Sequence, residues 1–273
     1  ALRILSRKPE LEAFYSSALV DIGLTRGGAL RQRYNAMVNV PLADDRLALR
    51  AVGFYRHEEG YLENVGTGTK NANTLVDQGG RVSLLWKPSE PMDVRLTASY
   101  EDSQPRDSSL TSPQLGRNKR ISDRPDLYAG RMSNLNATID YQFEGAHFTS
   151  ATTYSDFGAK FFVDLAGAMG GAIAFGLDAF GDQKTLVEEM RLVSSGDGAL
   201  QWAVGGFYMD RRHDVDYNYR STPEFLVDRG ITGLPDEYYQ RMYTHTNSHE
   251  KALFGEVTWH LNERFWLTGG LRY

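Results

Sequence analysis

The chain has 273 residues, with 30 Lys or Arg against 35 Asp or Glu, and its formal charge of −5 gives no electrostatic ground for a nucleic-acid partner. Cysteine is absent, which removes disulfides, thiolate metal sites and cysteine nucleophiles together. Hydrophobic residues reach only 41%, too few for a bundle of transmembrane helices, whereas 15 Tyr, 13 Phe and 27 Gly suit β-structure.

The chain opens on Ala1-Leu2-Arg3-Ile4-Leu5, with no initiator Met and no signal-peptide core, and stops at Gly270-Leu271-Arg272-Tyr273 inside an alternating pattern. It therefore reads as a piece of a longer chain. Between these ends a period of two dominates. Leu30, Gln32, Tyr34, Ala36, Val38 and Val40 form one largely apolar face, and Arg31, Arg33, Asn35, Met37 and Asn39 the other. The same alternation runs through Leu47–Tyr55, Val94–Tyr100, Leu135–Phe143, Leu253–Leu261 and Leu267–Leu271. A helix would space its apolar residues three and four apart, so these segments are strands. The segment 183–194 carries an acid on each face, Glu188 and Glu189, and is assigned as a strand on Leu186, Met190, Leu192 and Val193.

About eleven strands follow: 13–26, 29–41, 46–57, 80–88, 92–101, 132–143, 146–156, 183–194, 199–217, 251–261 and 264–273. Tight turns fall at Ala43-Asp44-Asp45, Pro88-Ser89-Glu90-Pro91, Glu144-Gly145, Ser195-Gly196-Asp197-Gly198 and Asn262-Glu263. They alternate with long polar connections at 59–79, 102–130, 157–182 and 218–250. Short turns on one rim and long loops on the other describe an all-β, antiparallel, up-and-down transmembrane β-barrel of the outer-membrane type. A strand of about ten residues, tilted, also has the length to cross a bilayer. Tyr34, Tyr55, Trp86, Tyr100, Tyr141, Trp259 and Phe265 lie near strand ends on the apolar face, where amphipathic rings settle at the membrane–water boundary. The rival fold is a soluble sandwich, which would not need several loops of this length. An odd strand count implies missing strands, since single-chain bacterial barrels have an even number; a complete barrel of ten or twelve strands closing on Tyr273 is the alternative.

Two stretches resemble a known family. Arg3-Ile4-Leu5-Ser6-Arg7-Lys8-Pro9 is similar to the last plug strand of TonB-dependent outer-membrane receptors, and Leu253–Leu261 with Leu267–Tyr273 resembles a mid-barrel hairpin of the same receptors, siderophore-type members especially. The resemblance implies that residues 1–12 end a plug domain and that 13–273 form the first half of a barrel of about 22 strands. It implies a bacterial outer-membrane location and energy-coupled uptake of a scarce ligand, foremost a ferric siderophore. The implied partners are outer-membrane lipid and the TonB–ExbB–ExbD complex, reached through a plug and TonB box lying outside this chain. A passive porin and an outer-membrane hydrolase are the competing functions.

No catalytic motif emerges, and neither a cofactor nor a metal site is expected. His57-Glu58-Glu59 is not H-E-x-x-H, and Gly66-Thr67-Gly68-Thr69-Lys70 lacks the spacing of a phosphate loop. His245-x-x-x-His249-Glu250 reads as solvated histidines, and Asp214-x-Asp216-x-Asn218 as strand-end polar residues rather than a calcium loop, since Tyr219 stands where glycine is required. The apolar run from Phe161 to Phe180 is interrupted by Asp164, Asp178 and several glycines, and reads as a long extracellular loop. Tyr217, Tyr219, Arg220, Tyr238, Tyr239 and Arg241, in and around the loop 218–250, are the ligand-binding candidates, because rings and guanidinium groups suit bulky anionic iron chelates. Given the resemblance, Arg31, Arg33, Arg50 and Arg56 face the lumen and hold the plug through ion pairs and hydrogen bonds.

Overall fold

The computed structural model describes residues 6–25, 30–164, 175–196 and 198–273. Its strands are β1 (Tyr15–Leu24), β2 (Leu30–Ala43), β3 (Leu47–Glu58), β4 (Glu63–Asn64), β5 (Leu75–Ser89), β6 (Met92–Pro105), β7 (Lys119–Arg120), β8 (Leu127–Gln142), β9 (Ala146–Asp164), β10 (Gly176–Ser194), β11 (Leu200–Arg220), β12 (Tyr238–Asn262) and β13 (Phe265–Arg272). A 3-10 turn at Pro113–Leu115 and a short helix α1 at Pro223–Asp228 are carried by the connections. Thr222 caps α1 by accepting from the Phe225 amide, and Pro223 opens it.

Eleven strands make one sheet in the order β1-β2-β3-β5-β6-β8-β9-β10-β11-β12-β13, each antiparallel to the next, so the predicted up-and-down order is the observed one. Among the described residues β1 and β13 do not pair with each other, and the barrel wall is open. The remaining pair, β4 with β7, is parallel and lies outside this sheet.

Register fixes which residues share a face. Val38, Ala51, Val82, Ala98, Leu135, Tyr154 and Leu186 lie in one row across seven strands. This face carries the exposed Trp86, Leu96, Tyr100, Leu135, Ile139, Trp259 and Leu261. The opposite face carries the buried Asn39, Arg50, Ser83 and Thr138. It is knitted by hydrogen bonds such as Ser83–Thr97 (3.1 Å), Asn136 to Thr153 (2.9 Å) and Ser155 to Asn134 (2.7 Å). Apolar outside and hydrogen-bonded polar inside is the arrangement a wall between lipid and lumen requires. Glu188 departs from it, standing on the apolar face, where it accepts from Ser150 (2.8 Å) and Thr152. Across two strands from it Lys251 sits over the Tyr208 ring at 5.8 Å, and Glu188, Tyr208 and Lys251 are register partners in turn.

The strands run much further than the alternation indicated. The connections predicted at 59–79, 102–130 and 218–250 reduce to 59–74, 106–126 and 221–237, and the one at 157–182 to the segment between β9 and β10. About ten residues cross the bilayer, whereas β10 has 19 residues, β11 has 21 and β12 has 25. Beyond the girdle of Tyr34, Tyr55, Tyr100 and Tyr154 both faces meet water or loops, so apolar alternation ceases while ladder pairing continues. The run Phe161–Phe180 is corrected accordingly: Phe161–Asp164 ends β9 and Gly176–Phe180 begins β10. Its centre, 165–174, lies outside the described residues, as do Ala1–Leu5 of the plug-like stretch and Asp197 of a predicted turn. Ser6–Glu10 carries no strand.

The segment before β1 is fastened to the inner wall. Asn39, fully buried, accepts from the Glu10 amide (2.9 Å) and donates to the carbonyls of Glu10 (2.9 Å) and Ala13 (2.7 Å). Arg50 donates to the Tyr15 hydroxyl at 2.5 Å and packs over its ring.

Candidate functional site at the outer rim

The long connections are ordered by a buried polar node. Arg120, on β7, lies between Asp107 and Asp126 and pairs with both; its side chain and that of Asp107 are each 3% exposed. Asn64, on β4, donates to Asp107 (2.9 Å) and Ser122 (2.8 Å) and accepts from the Ser122 amide (3.2 Å). The parallel β4–β7 pair brings these residues together, with Leu62 and Ala72 as its apolar filling. Asp107 accepts from the Asp126 amide (2.8 Å), Asp126 from the Asp164 amide (2.6 Å), and Asp164 from the Asp123 amide (2.6 Å). Burial pushes the Asp126 carboxyl above the ordinary aspartate range, against the opposing pull of the Asp164 amide and Arg120.

From the node the network reaches a cleft of about 200 Å³ at the ends of β9–β12, lined by Asp123, Arg124, Phe175, Gly176, Arg220 and Glu237 among others. Arg124 reaches across to Glu237 through two parallel bonds, one of 2.9 Å, from a residue 113 positions away. That guanidinium holds the Glu237 carboxyl below its usual range, and Arg124 is raised in return. Arg220 pairs with Asp178 at 3.2 Å, both side chains 10% exposed, and the Tyr238 hydroxyl donates to the same carboxylate at 2.9 Å. Burial first, and then that bond to Asp178, lift the Tyr238 phenol to about 12. A Cβ at Gly176 would stand 2.8 Å from Arg220 Nη1, so glycine is what lets the guanidinium cross β10.

The six ligand candidates are not gathered into one surface. Arg220 lines the cleft, Tyr238 is tied to it through Asp178, and Tyr219 touches it through a tilted ring contact with Phe175, centroids 5.5 Å apart. Tyr217, opposite Met242, and Tyr219 lie on the face of β11 opposite to that of Arg220. Tyr239 falls in the β-bulge where the register slips between Tyr219 and Arg220, and Arg241 turns outward to Asp236 and the Tyr238 ring. Bulges re-aim side chains in this way, and strict alternation does not foresee them. Arg124 and Phe175 line the cleft, and Asp178 holds its Arg220, yet these three stand apart in sequence from the candidates; Glu237 lies within the loop 218–250, beside Tyr238, and was missed because an acid does not suit an anionic ligand.

The four lumen arginines lie on the inner face, engaged with the wall itself. Arg31 pairs with Asp21 (3.3 Å), Arg33 and Arg56 share Glu58 (2.5 and 2.9 Å), and Arg50 takes Tyr15. The remaining motifs are surface chemistry. Asp214 accepts from Tyr243 (2.6 Å) and pairs with His245, while His249 faces Asp210 at 3.4 Å, all along the β11–β12 ladder. Gly66–Lys70 forms the turn after β4, closed by the Asn64–Thr69 bridge.

Strand order, an apolar outer face with its rings, and loops built up on one rim together define a wall of a transmembrane β-barrel. Residues 86–273 match the family described as TonB dependent receptor-like, beta-barrel, and the chain belongs to that family of Gram-negative outer-membrane receptors and transporters. No curated protein matches it in sequence. Its fold is similar to that of the ferric yersiniabactin uptake receptor FyuA from Yersinia pestis, with a TM-score of 0.75 and 16% identity, covering 98% of this chain and 39% of that one. The copper transporter OprC (TM-score 0.63, 18% identity, 98% and 38% covered) is also similar. So is the siderophore receptor PiuA from Acinetobacter baumannii (TM-score 0.64, 15% identity, 98% and 43% covered). The chain thus spans about two fifths of the length of these structures.

Proposed function

We propose that the protein to which this wall belongs captures a ferric siderophore at the outer rim and imports it with energy delivered by the TonB–ExbB–ExbD complex. In this reading residues 1–12 end the plug and 13–273 form the first half of the barrel. The observation that carries the cargo class is the chemistry of the rim cleft: Arg124 and Arg220, held in place by Glu237 and Asp178, beside the Phe175–Tyr219 ring contact, a patch that would touch one edge of a chelate rather than enclose it. Guanidinium groups and rings suit a bulky anionic chelate through charge and stacking, and the siderophore receptors among the similar structures support this choice. A bare metal ion, the cargo suggested by OprC, would instead call for a compact set of ligating side chains. Arg31 and Arg50 each keep a buried Nε without a hydrogen-bond partner among the described residues, which supports their role as plug contacts. Binding and rearrangement of the plug complete the mechanism, and no covalent bond changes.

The test is uptake of radiolabelled iron, presented as ferric siderophores, by cells whose only such receptor is the full-length protein. Uptake is expected to need the inner-membrane complex and to fall in Arg124→Ala. Uptake of copper but of no ferric chelate would overturn the cargo class. A sugar leak from liposomes without the inner-membrane complex would point to a porin.

A further inference from the structure

Tyr15, Asn39 and Arg50 form one register row of β1, β2 and β3 on the lumen face, near the rim of the short turns. Asn39 has no exposed surface, and its side chain serves the chain upstream of β1. Its Oδ1 accepts from the Glu10 amide (2.9 Å), while its Nδ2 donates to the carbonyls of Glu10 (2.9 Å) and Ala13 (2.7 Å). Accepting from and donating to the same residue is what a facing strand does in a ladder, and here one side chain does it. The Tyr15 hydroxyl adds a second hold, donating to Glu10 Oε1 (2.9 Å) and accepting from Arg50 (2.5 Å), whose guanidinium also lies over the Tyr15 ring. Pro9 is buried, although Ser6, Arg7, Lys8 and Glu10 around it are exposed.

The place of this grip matters under load. Tension on the chain before β1 would otherwise meet the β1–β2 ladder at its first pair, Tyr15 with Asn39, and open it one pair after another. The contacts to Glu10 and Ala13 lie upstream of that pair, and they end on β2 directly and on β3 through Arg50. Load is thus shared by several bonds at once before any ladder bond carries it. Because Asn39 is buried, those bonds are also shielded from the water that would replace them.

We infer that Asn39 is a mechanical stop, which keeps a pull on the upstream chain from peeling β1 off the wall. The inference rests on the reading above, in which residues 1–12 end the plug and energy arrives through it. The test pulls the full-length receptor, held in a lipid bilayer, by a handle at its N-terminus under constant force. At a force that leaves wild-type β1 in place, Asn39→Ala is expected to lengthen by a further roughly 50 Å, the extended length of the freed chain from Glu10 to Leu24. Glu10→Pro removes the amide donor and leaves the wall untouched, so it is expected to release β1 as well should Asn39→Ala impair folding. Glu10→Ala keeps both backbone groups and is expected to hold as the wild type does. The urea midpoint of the barrel is expected to be the same in Glu10→Pro as in the wild type, which separates a stop from ordinary stabilisation. Equal lengthening of the wild type, Asn39→Ala and Glu10→Pro at every force, release of β1 in Glu10→Ala, or a lowered midpoint in Glu10→Pro would each overturn the proposal. A wild-type trace with no unfolding step upstream of Glu10 would instead sink the plug reading, and the comparison of variants would still decide the stop.

Discussion

Arg120 neutralises two carboxylates that the β4–β7 pair takes out of water, so its removal leaves both charged groups buried without a partner. Arg120→Met is expected to cost about 3–5 kcal/mol of local stability, the range for breaking a buried ion pair from one side. Hydrogen exchange would show the loss in 59–74 and 105–127, with the ladders of β5, β6 and β8 still protected. Glu237 answers to pH. Because Arg124 depresses its pKa, the link is intact at and above the ordinary glutamate value of 4.5 and is lost only as acidification passes below it. A spin-label pair placed on either side of the cleft is expected to separate in that acidic range and to be already separated at neutral pH in Glu237→Gln. Little of this node is legible in sequence. Asn64 lies 43 positions from Asp107 and 58 from Ser122, and nothing local marks three polar residues as mutual partners. The lumen arginines were readable because each occupies the polar phase of an alternating strand.

Strands that separate lipid from lumen announce themselves through period two, and the sheet's eleven members are legible with their order, β10 on its apolar residues alone because Glu188 and Glu189 put an acid on each face. What stayed hidden was their length above the girdle, where the contrast between faces disappears and only backbone pairing defines the element. The bulge at Tyr219/Arg220 was hidden too, which is why six candidates placed on one loop divide between two faces. Glycines within strands, by contrast, have a cause that only packing reveals. A Cβ at Gly79 would stand 2.4 Å from the Tyr100 carbonyl oxygen and 3.0 Å from the Phe54 ring. Gly79→Val is therefore expected to push β5 off β6 at a cost of about 1–3 kcal/mol, as overpacking does. The measurement is the urea midpoint of the full-length barrel in lipid, read by loss of its anomalous gel mobility, against Gly269→Ala, where a Cβ meets nothing.

At the scale of the whole wall, the two faces answer to different solvents. Leu135→Arg, on the outer face within the aliphatic belt, is expected to destabilise the barrel by about 2–4 kcal/mol, whereas Asn136→Arg, one residue away and facing the lumen, is expected to cost far less. Equal costs at the two positions would mean that the inside–outside assignment is wrong. Glu188 marks how the wall tolerates an acid on the membrane side: two neighbouring hydroxyls on β9 supply the hydrogen bonds that lipid cannot.

The β4–β7 pair also sets an order of events. Its partners are parallel and are separated in the chain by the whole β5–β6 hairpin, so neither can find the other until that hairpin has been laid down. That corner of the surface is therefore expected to mature after the β5–β6 ladder has zipped, and a nascent barrel would pass through a stage with this hairpin formed and its crown loose. Protease added during assembly should clip 106–126 in that interval and spare it afterwards, giving a clock for the closing of this crown.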